Sequence, residues 1–330
     1  MTAKNFLIIQ TSFIGDVILA TALLEDLKKS DATIAVDVLV RKGNEGLFSN
    51  HPFIREVLVW NKKENKYINL LKLLREIRKK KYACVINLQR FGATGLLTAF
   101  SSAQETRGFE KNPFSFLFTK KFKHDIKNNL HEIERNHLLV ADISTGKISK
   151  PKLYPSKFDI ETIRPYYESK FITIAPTSVW FTKTFPESKW VKLIIAYRLK
   201  NPDHLIYLLG SKEEFSVSES IRGKAGVTKI QNLCGQLTLL QSAVLLQKAE
   251  MNFVNDSAPM HLASAMNAPV TVVYCSTMPR FGFGPLSDNS RIIETKIKLP
   301  CRPCGLHGLK ACPLGHFNCA QTIEINDILM

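Results

Sequence analysis

The chain of 330 residues carries a formal net charge of +16, from 45 basic and 29 acidic side chains, and 45% of it is hydrophobic. This length predicts two domains, and the composition is that of an ordinary soluble globular protein. Seven cysteines, three of them in apolar contexts, favour reduced thiols over a disulfide framework. The positive charge favours acidic partners: nucleic acid, an anionic membrane face or phosphorylated substrates.

Neither a membrane span nor a secretory signal is predicted. No apolar run reaches the roughly 18 residues that a transmembrane helix needs. The first few residues lead directly into a strand-like segment, which is unlike a signal peptide. We therefore expect a cytoplasmic protein.

The first half of the chain alternates strand and helix patterns. Residues 6–9 are a short apolar run, typical of a parallel strand buried on both faces. Residues 17–29 form an amphipathic helix that ends in lysines. The pattern repeats with strands predicted at residues 33–40, 57–60 and 84–88, and with a basic helix at residues 67–80 whose predicted inner face is Leu70, Leu71, Leu74 and Ile77. Such alternation predicts a doubly wound parallel sheet.

Asp16 stands where the first strand pattern gives way to a helix, just after Ser12 and Gly15. One interpretation is a first-turn acid that complements the helix dipole. The other is a carboxylate at the carboxyl end of a strand, where open α/β sheets bind ligands. Both remain open from these residues alone.

Residues 106–129 break the alternation, because they combine five phenylalanines with several lysines. An aromatic and basic mixture suits a membrane interface or a phosphate-bearing glycolipid. It equally suits single-stranded nucleic acid, or a core segment with lysine edges. These three interpretations remain open.

The second half begins with a proline-rich stretch, residues 151–168, which is typical of an interdomain linker. A second α/β unit follows, with strands predicted at residues 171–175, 205–209 and 270–274 and helices at 190–199 and 239–247. The turn after the first of these strands carries Thr177, Ser178 and Lys183, which together could clamp a phosphate.

Residues 253–265 read as a strand end, a polar turn and a helix. Asn255, Asp256 and Ser257 can each cap that helix, and Pro259 suits its first turn. A helix N-terminus at the end of a strand offers free N–H groups and a dipole to an anion. A capped turn without a ligand is the alternative interpretation.

Four motifs in their order and spacing resemble a known family. They are residues 12–16 (SFIGD), 183–186 (KTFP), 210–214 (GSKEE) and 255–261 (NDSAPMH). The chain resembles the bacterial lipopolysaccharide heptosyltransferases of glycosyltransferase family 9, among them the heptosyltransferase II branch. The resemblance implies a GT-B fold, with two Rossmann-like doubly wound parallel-sheet domains facing a cleft. It implies an acceptor-side domain at 1–150, the linker, a nucleotide-sugar domain at 169–300 and a cysteine-rich tail at 301–330.

The resemblance also implies an activity. The enzyme would move heptose from ADP-heptose to the lipid A-linked inner core of lipopolysaccharide, with inversion and without metal or cofactor. Asp16 would be the general base, and Lys183 would neutralise charge on the departing ADP. The partners would be this nucleotide sugar, the lipid-linked core and, by peripheral contact, the cytoplasmic face of the inner membrane, but not nucleic acid.

Further site residues are carried over from the family motifs. Asp256 would bind heptose hydroxyls, Glu213 or Glu214 the ribose, and the turn with Cys234 the adenine. The implied donor-binding residues are Thr177, Ser178, Lys183, Gly210, Ser211, Glu213, Glu214, Cys234, Gly235, Asn255, Asp256, Ser257, Ala258, Met260 and His261. The candidate acceptor-binding residues are Ser12, Gly15, Arg90 and Arg107.

Two other questions stay open at this stage. The spacing of Cys301, Cys304, Cys312 and Cys319 is typical either of a structural metal site or of thiols that pack a loop. Alternative functions are transfer of another activated sugar to a surface glycan, a nucleotide-sugar epimerase on the same scaffold, and a nucleic-acid-binding module. The last has no recognisable motif in the sequence.

Overall fold

The computed structural model describes residues 4–330. The chain divides into two compact units, Met1–Tyr154 and Pro155–Met330. Each unit is built on one parallel sheet of six strands, with α-helices or short 3-10 turns between successive strands. Among the described residues, no helix has both the length and the apolar character needed to cross a bilayer.

The first unit has the strand order β3-β2-β1-β4-β5-β6, and all neighbours are parallel. Its strands are β1 (Asn5–Ile9), β2 (Ala35–Arg41), β3 (Ile54–Trp60), β4 (Cys84–Asn87), β5 (Glu105–Phe109) and β6 (Lys120–Phe122). Its helices are α1 (Ile14–Ser30), α2 (Lys66–Lys79), α3 (Gly92–Ala99) and α4 (Glu132–His137).

The apolar runs explain the centre of this sheet. β1 lies between β2 and β4, and its apolar residues are buried because helices cover both faces of such a sheet. Helix α2 buries Leu70, Leu73 and Ile77, whereas Leu71 is 52% exposed. The predicted inner face was therefore wrong at Leu71, because a helix turns about 100° per residue and carries it away from the stripe of Leu70 and Ile77.

The aromatic and basic segment forms the far edge of the first sheet. It contains β5, the 3-10 turn Ser115–Leu117 and β6. Phe109 and Phe118 are buried, while Phe116 is exposed. Gly108 makes room for the Phe118 ring, since an added Cβ would lie 2.5 Å from that ring. The segment is thus part core and part exposed aromatic surface.

The second unit has the strand order β12-β11-β10-β7-β8-β9, again parallel throughout. Its strands are β7 (Phe171–Ala175), β8 (Leu205–Leu208), β9 (Ile230–Asn232), β10 (Met251–Asn255), β11 (Val270–Tyr274) and β12 (Ser290–Glu294). Its helices are α5 (Lys157–Ile163), α6 (Glu187–Lys200), α7 (Phe215–Ala225), α8 (Leu239–Lys248), α9 (Ala258–Ala265), α10 (Asn318–Gln321) and α11 (Ile325–Leu329).

Counted from the first strand of each unit, the two sheets have the same order, 3-2-1-4-5-6. This is the order of the doubly wound dinucleotide-binding fold. The predicted fold class, two Rossmann-like α/β units with parallel sheets, is confirmed.

Two segments outside the sheets have definite structure. The stretch predicted as a linker, residues 151–168, contains α5, whose N-cap Ser156 forms a capping box with Asp159. The cysteine-rich stretch after residue 300 runs back over the second unit, where Phe317 and Cys319 join the core that includes Trp190.

Candidate functional site

Each sheet has one point at which the strand order reverses, and open α/β sheets bind ligands at the carboxyl ends of the strands there. In the first unit this point lies between β1 and β4, so the turns after Ile9 and Asn87 meet. In the second unit it lies between β7 and β10, so the turns after Ala175 and Asn255 meet. The sequence motifs of interest follow these strands.

In the first unit, Asp16 lies in the first turn of α1, directly after β1. Burial raises the pKa of its carboxyl from the ordinary value of 3.8 to about 6. A hydrogen bond from the Ser12 side chain opposes this rise, and the nearby charge of Glu132 adds to it. A carboxylate with a pKa close to neutrality is suited to accept a proton at neutral pH.

Glu132 is itself held in its ionised form. Although burial opposes ionisation, the hydrogen bond from His124 and the charge of Arg135 hold the pKa of Glu132 below its ordinary value. Arg135 Nε lies 2.7 Å from Glu132 Oε2. The negative charge beside Asp16 is therefore a fixed feature of helix α4.

Two cationic side chains lie at the same end of the sheet. The Arg41 guanidinium stacks on the Phe13 ring, 4.8 Å from its centroid, and it feels the charge of Asp16. Lys62 donates to the carbonyl oxygen of Thr11 at 2.7 Å. Burial and the charge of Arg41 lower the pKa of Lys62 to about 8. Arg41 thus places a positive charge near Asp16.

The candidate acceptor residues have different surroundings. Ser12 lies in the turn before α1, and Gly15 lies in the first turn of α1, next to Asp16. Arg90 follows β4 and is partly exposed. Arg107 is only 1% exposed and binds Glu105, Asp142 and the carbonyl oxygen of Leu139. Arg107 is therefore a buried support of strand β5, and its guanidinium is occupied by these partners.

In the second unit, Asn255 joins the two turns at the reversal point. Its amide nitrogen donates to the carbonyl oxygens of Ala175 and Thr177, both at 3.2 Å. Its amide oxygen accepts from the backbone N–H of Phe185 at 2.8 Å. Asn255 is fully buried, so it positions the turns around the site.

The N-terminus of α9 follows directly. Ser257 is the N-cap, but its hydroxyl donates to the Asn255 carbonyl oxygen at 3.4 Å instead of accepting from the first turn. The predicted side-chain cap was therefore wrong at Ser257, because its hydroxyl makes no bond to a first-turn N–H. The first-turn N–H of Ala258 is left to a ligand or solvent, as an anion site requires.

Lys183 and Asp256 form an ion pair beside this helix. Lys183 Nζ lies 2.8 Å from Asp256 Oδ2, and both side chains are largely buried. The Thr277 hydroxyl donates to the same oxygen at 2.6 Å. The two residues predicted to bind ADP and heptose are thus in contact, and Asp256 fixes the position of the lysine ammonium.

A third group of predicted residues meets at the ends of β7, β8 and β9. The Thr177 hydroxyl donates to Glu214 Oε1 at 2.5 Å, and the backbone N–H of Ser211 donates to Glu214 Oε2 at 2.6 Å. Gly235 has a φ of +74°, and an added Cβ would lie 2.7 Å from Lys212 Cα. This packing brings the 210–214 and 233–235 turns together as one surface.

The remaining predicted donor residues fall into two groups. Ser178, Ser211, Glu213 and Gly210 are partly or fully exposed in the turns. Cys234, Met260 and His261 are buried behind them. Met260 sulfur accepts from the Tyr274 hydroxyl at 3.4 Å, and Cys234 contacts Ser218 at 3.2 Å. The structure therefore places the exposed group at the surface of the site and the buried group beneath it.

The four tail cysteines lie on or near the second core. All seven cysteines are free thiols. Cys319 is in the core and Cys312 packs against it, while Cys301 Sγ lies 4.0 Å from His316 Nε2. Within residues 4–330, no three His, Cys, Asp or Glu side chains are arranged to hold a metal ion.

Comparison with known proteins decides the family. The model of glycosyltransferase family 9 (heptosyltransferase) matches residues 70–308, which is more than two thirds of the chain. The chain belongs to glycosyltransferase family 9. It is therefore a glycosyltransferase, as the four motifs predicted.

Relatives of this family 9 glycosyltransferase support the assignment along its whole length. It is 25% identical to lipopolysaccharide heptosyltransferase 1 of Campylobacter coli, over 98% of this chain and 96% of the relative. Among solved structures, a family 9 enzyme from Veillonella parvula superposes with a TM-score of 0.80 at 21% identity, covering 88% of this chain and 86% of that one. Escherichia coli ADP-heptose lps heptosyltransferase II gives 0.76 at 21% identity, covering 92% of each chain. The GT-B fold is confirmed by these likenesses.

Four residues near the candidate site of this glycosyltransferase were not singled out from the sequence. Arg41 interacts with Asp16 and Lys62 bonds to Thr11, and a basic residue at the end of a strand pattern was their only signal. Thr277 and Arg302 reach the Lys183–Asp256 pair and its turn from distant parts of the chain. A threonine or arginine in a loop carries no sequence pattern that would single it out.

Proposed function

We propose that this enzyme transfers heptose from ADP-heptose to the inner core of lipopolysaccharide, on a lipid A-linked acceptor. The observation that carries the proposal is the similarity to the Campylobacter coli lipopolysaccharide heptosyltransferase along nearly the full length of both chains. The positive charge of the chain suits both substrates, because the donor is a diphosphate and the acceptor is anionic.

In the proposed mechanism Asp16 is the general base. At neutral pH a carboxyl with a pKa of about 6 is ionised, yet it is more basic than an ordinary aspartate. It takes the proton of the acceptor hydroxyl as that oxygen attacks the anomeric carbon from the face opposite ADP. The new glycosidic bond forms, the bond to ADP breaks with its electrons on the phosphate oxygen, and the configuration inverts.

ADP departs as an anion, so positive groups are needed where its charge develops. In this proposal Lys183, which pairs with Asp256, and the Ala258 N–H at the N-terminus of α9 supply them. Asp256 holds the ammonium in place at 2.8 Å and can accept from a heptose hydroxyl. Because these protein groups would stabilise the negative charge that develops on ADP, the proposed transfer needs no metal.

We also propose that the first unit docks on the cytoplasmic face of the inner membrane, where a lipid-linked acceptor resides. The aromatic patch consists of Phe91, Phe100, Phe114, Phe116 and Leu117. Phe91 is 65% exposed and Phe116 72% exposed. The Asn112 side chain ties the patch together, since it donates to the Phe91 carbonyl oxygen at 3.1 Å and accepts from the Phe114 N–H at 3.0 Å.

Charge complementarity supports an anionic bilayer as the partner of the aromatic patch. Lys111, Lys121 and Lys123 are exposed in the same segment. Rings at the headgroup level with lysines beside them are the combination that binds anionic interfaces. Phe91 follows β4 at the reversal point, so docking there would bring the surroundings of Asp16 to the membrane.

The transfer reaction is tested by supplying the purified enzyme with a heptose-deficient lipopolysaccharide core and a panel of ADP- and UDP-activated sugars. We expect ADP release and a mass increase of one heptose with ADP-heptose, and an inverted anomeric configuration by NMR. Transfer from a UDP-hexose with ADP-heptose inert would refute the proposed donor. Activity that survives exhaustive chelation agrees with the metal-free mechanism, and activity restored only by added metal contradicts it.

Docking is tested by co-sedimentation with vesicles of phosphatidylethanolamine and phosphatidylglycerol. The variant Phe91→Ser/Phe116→Ser should lose most vesicle binding, because two exposed rings leave the interface. The matched control is Phe158→Ser, which removes a ring that is 74% exposed in the second unit. Equal loss in the control, or equal binding to vesicles without anionic lipid, would contradict the assignment.

A further inference from the structure

The cysteine-rich stretch, residues 301–309, is bonded to the turn that carries Lys183. The backbone N–H of Thr182 donates to the carbonyl oxygen of Leu309 at 3.1 Å. In return, the backbone N–H of Leu309 donates to the Thr182 hydroxyl at 2.8 Å. These two bonds fix Thr182, the residue before Lys183, to the cysteine-rich stretch.

The same stretch holds the turn that follows β11. The backbone N–H of Cys304 donates to the Ser276 carbonyl oxygen at 2.9 Å, and the Ser276 N–H donates to the Thr182 carbonyl oxygen at 3.2 Å. Arg302 donates to the carbonyl oxygens of Cys275 at 2.7 Å and Thr277 at 2.8 Å. Its remaining charge is met by Glu294 at 2.9 Å.

Both turns deliver side chains to one carboxylate. Thr277 brings its hydroxyl to Asp256 Oδ2 at 2.6 Å, and Lys183 brings its ammonium to the same atom at 2.8 Å. Arg302 is largely buried, with a side chain only 6% exposed. Its guanidinium therefore acts on the backbone that presents Thr277, without reaching the surface of the site.

Gly308 lies against the stem of Lys183. Its φ is +79°, and an added Cβ would lie 2.9 Å from Lys183 Cγ and 3.3 Å from Lys183 Cδ. Gly305 in the same stretch has a similar φ of +73°, but nothing lies within 4 Å of the position of its Cβ. The space at position 308 is therefore limited by the stem of Lys183 and by Thr182 Oγ1, which lies 3.1 Å from the position of the same Cβ.

We propose that residues 301–309 are a positioning segment for the diphosphate site: Arg302 and Gly308 fix the turns and the stem that hold the Lys183 ammonium on Asp256. Because the segment holds the lysine ammonium in place before the ADP-sugar binds, binding would not have to overcome the entropy cost of ordering a flexible lysine side chain. This inference rests on the proposed role of Lys183 in binding the diphosphate.

The test compares Gly308→Ala with Gly305→Ala, using ADP binding by calorimetry and the separate kcat and KM for transfer. Both variants place alanine at a left-handed φ, so the backbone strain is matched. Only Gly308→Ala presses on Lys183, and we expect its ADP Kd to rise and its kcat to fall, each by about tenfold. Gly305→Ala should keep both values within about twofold of the parent.

The Lys183→Ala background identifies the cause. Without the lysine stem, the methyl group of Gly308→Ala keeps only its contact with Thr182 Oγ1 at 3.1 Å, so most of its effect on ADP binding should vanish. A full tenfold loss in that background would overturn the inference, as would equal effects of the two glycine variants. If Gly308→Ala fails to fold, Arg302→Lys tests the same idea, and we expect weaker ADP binding that again vanishes in the Lys183→Ala background.

The outcomes also separate this inference from the proposed function. If Lys183→Ala itself leaves ADP binding unchanged, the proposed diphosphate role of the lysine fails. If Lys183→Ala weakens ADP binding while Gly308→Ala and Arg302→Lys do not, only the positioning role of the tail fails.

Discussion

Replacing Asp16 with asparagine should make the protein inactive and more stable at the same time. Burial and Glu132 raise the pKa of Asp16 from 3.8 to about 6, so the ionised carboxylate is disfavoured in the folded state. At about 1.4 kcal/mol per pKa unit, the whole of this rise would lower the free energy of unfolding of the parent by about 3 kcal/mol. Because the side chain is partly exposed, we expect a gain of about 1 to 3 kcal/mol for Asp16→Asn at pH 8.

Because the pKa of Asp16 is raised in the folded state, the stability difference between Asp16→Asn and the parent depends on pH. Below pH 3.8 the carboxyl is protonated in both the folded and the unfolded chain, so Asp16→Asn and the parent should have similar stability. Between pH 3.8 and 6 the unfolded chain loses the proton first, and the parent is destabilised as the pH rises. Above pH 6 the advantage of the variant should stay constant.

Urea unfolding at several pH values, followed with a probe in the first unit, measures this directly. Asp26→Asn is the matched control on the same helix, because Asp26 is buried and accepts from Ser149 and contacts His137. We expect this control to be destabilised. Stability of Asp16→Asn that tracks the parent from pH 4 to pH 8 would refute the assigned environment, and retained transfer activity would refute the assigned base.

Three further outcomes are expected. Lys183→Ala should weaken ADP binding and lower kcat together, each by about tenfold or more; a change in KM for the acceptor alone would contradict its role. Glu132→Gln should move the acidic limb of the kcat/KM profile to lower pH, because it removes a negative charge that raises the pKa of Asp16; a shift to higher pH would be contrary evidence. Asn255→Ala should cost about 2 to 4 kcal/mol of unfolding free energy, because three buried backbone groups lose their partner, whereas the exposed Gln247→Ala should change it by less than about 0.5 kcal/mol.

The centres of both sheets could be predicted from the sequence, because buried parallel strands are continuous apolar runs. The predicted strand at residues 171–175 coincides with β7, and that at 270–274 with β11. Helices α3 and α7 were not predicted, since α3 contains two glycines and α7 contains three serines and a glycine. Tertiary packing overrides such weak helix propensity.

The site was predictable wherever a polar residue follows a buried strand. Asp16, Thr177 and Asp256 were singled out as candidates in this way. The contact between Lys183 and Asp256 was not, because it joins residues more than seventy positions apart. Arg107 was misjudged for a related reason: its partner Asp142 is distant in sequence, and only the fold shows that the charge is consumed inside the protein.

The short strand β6 has a consequence for how copies of this protein meet. An open sheet edge invites pairing with another chain, and the first sheet ends in a strand of only three residues, Lys120–Phe122. Lys121 on this strand is exposed, and a strand of this length that carries a charge offers a neighbour few hydrogen bonds. The edge is thereby protected against aggregation, even though the segment that contains β6 is rich in aromatic residues.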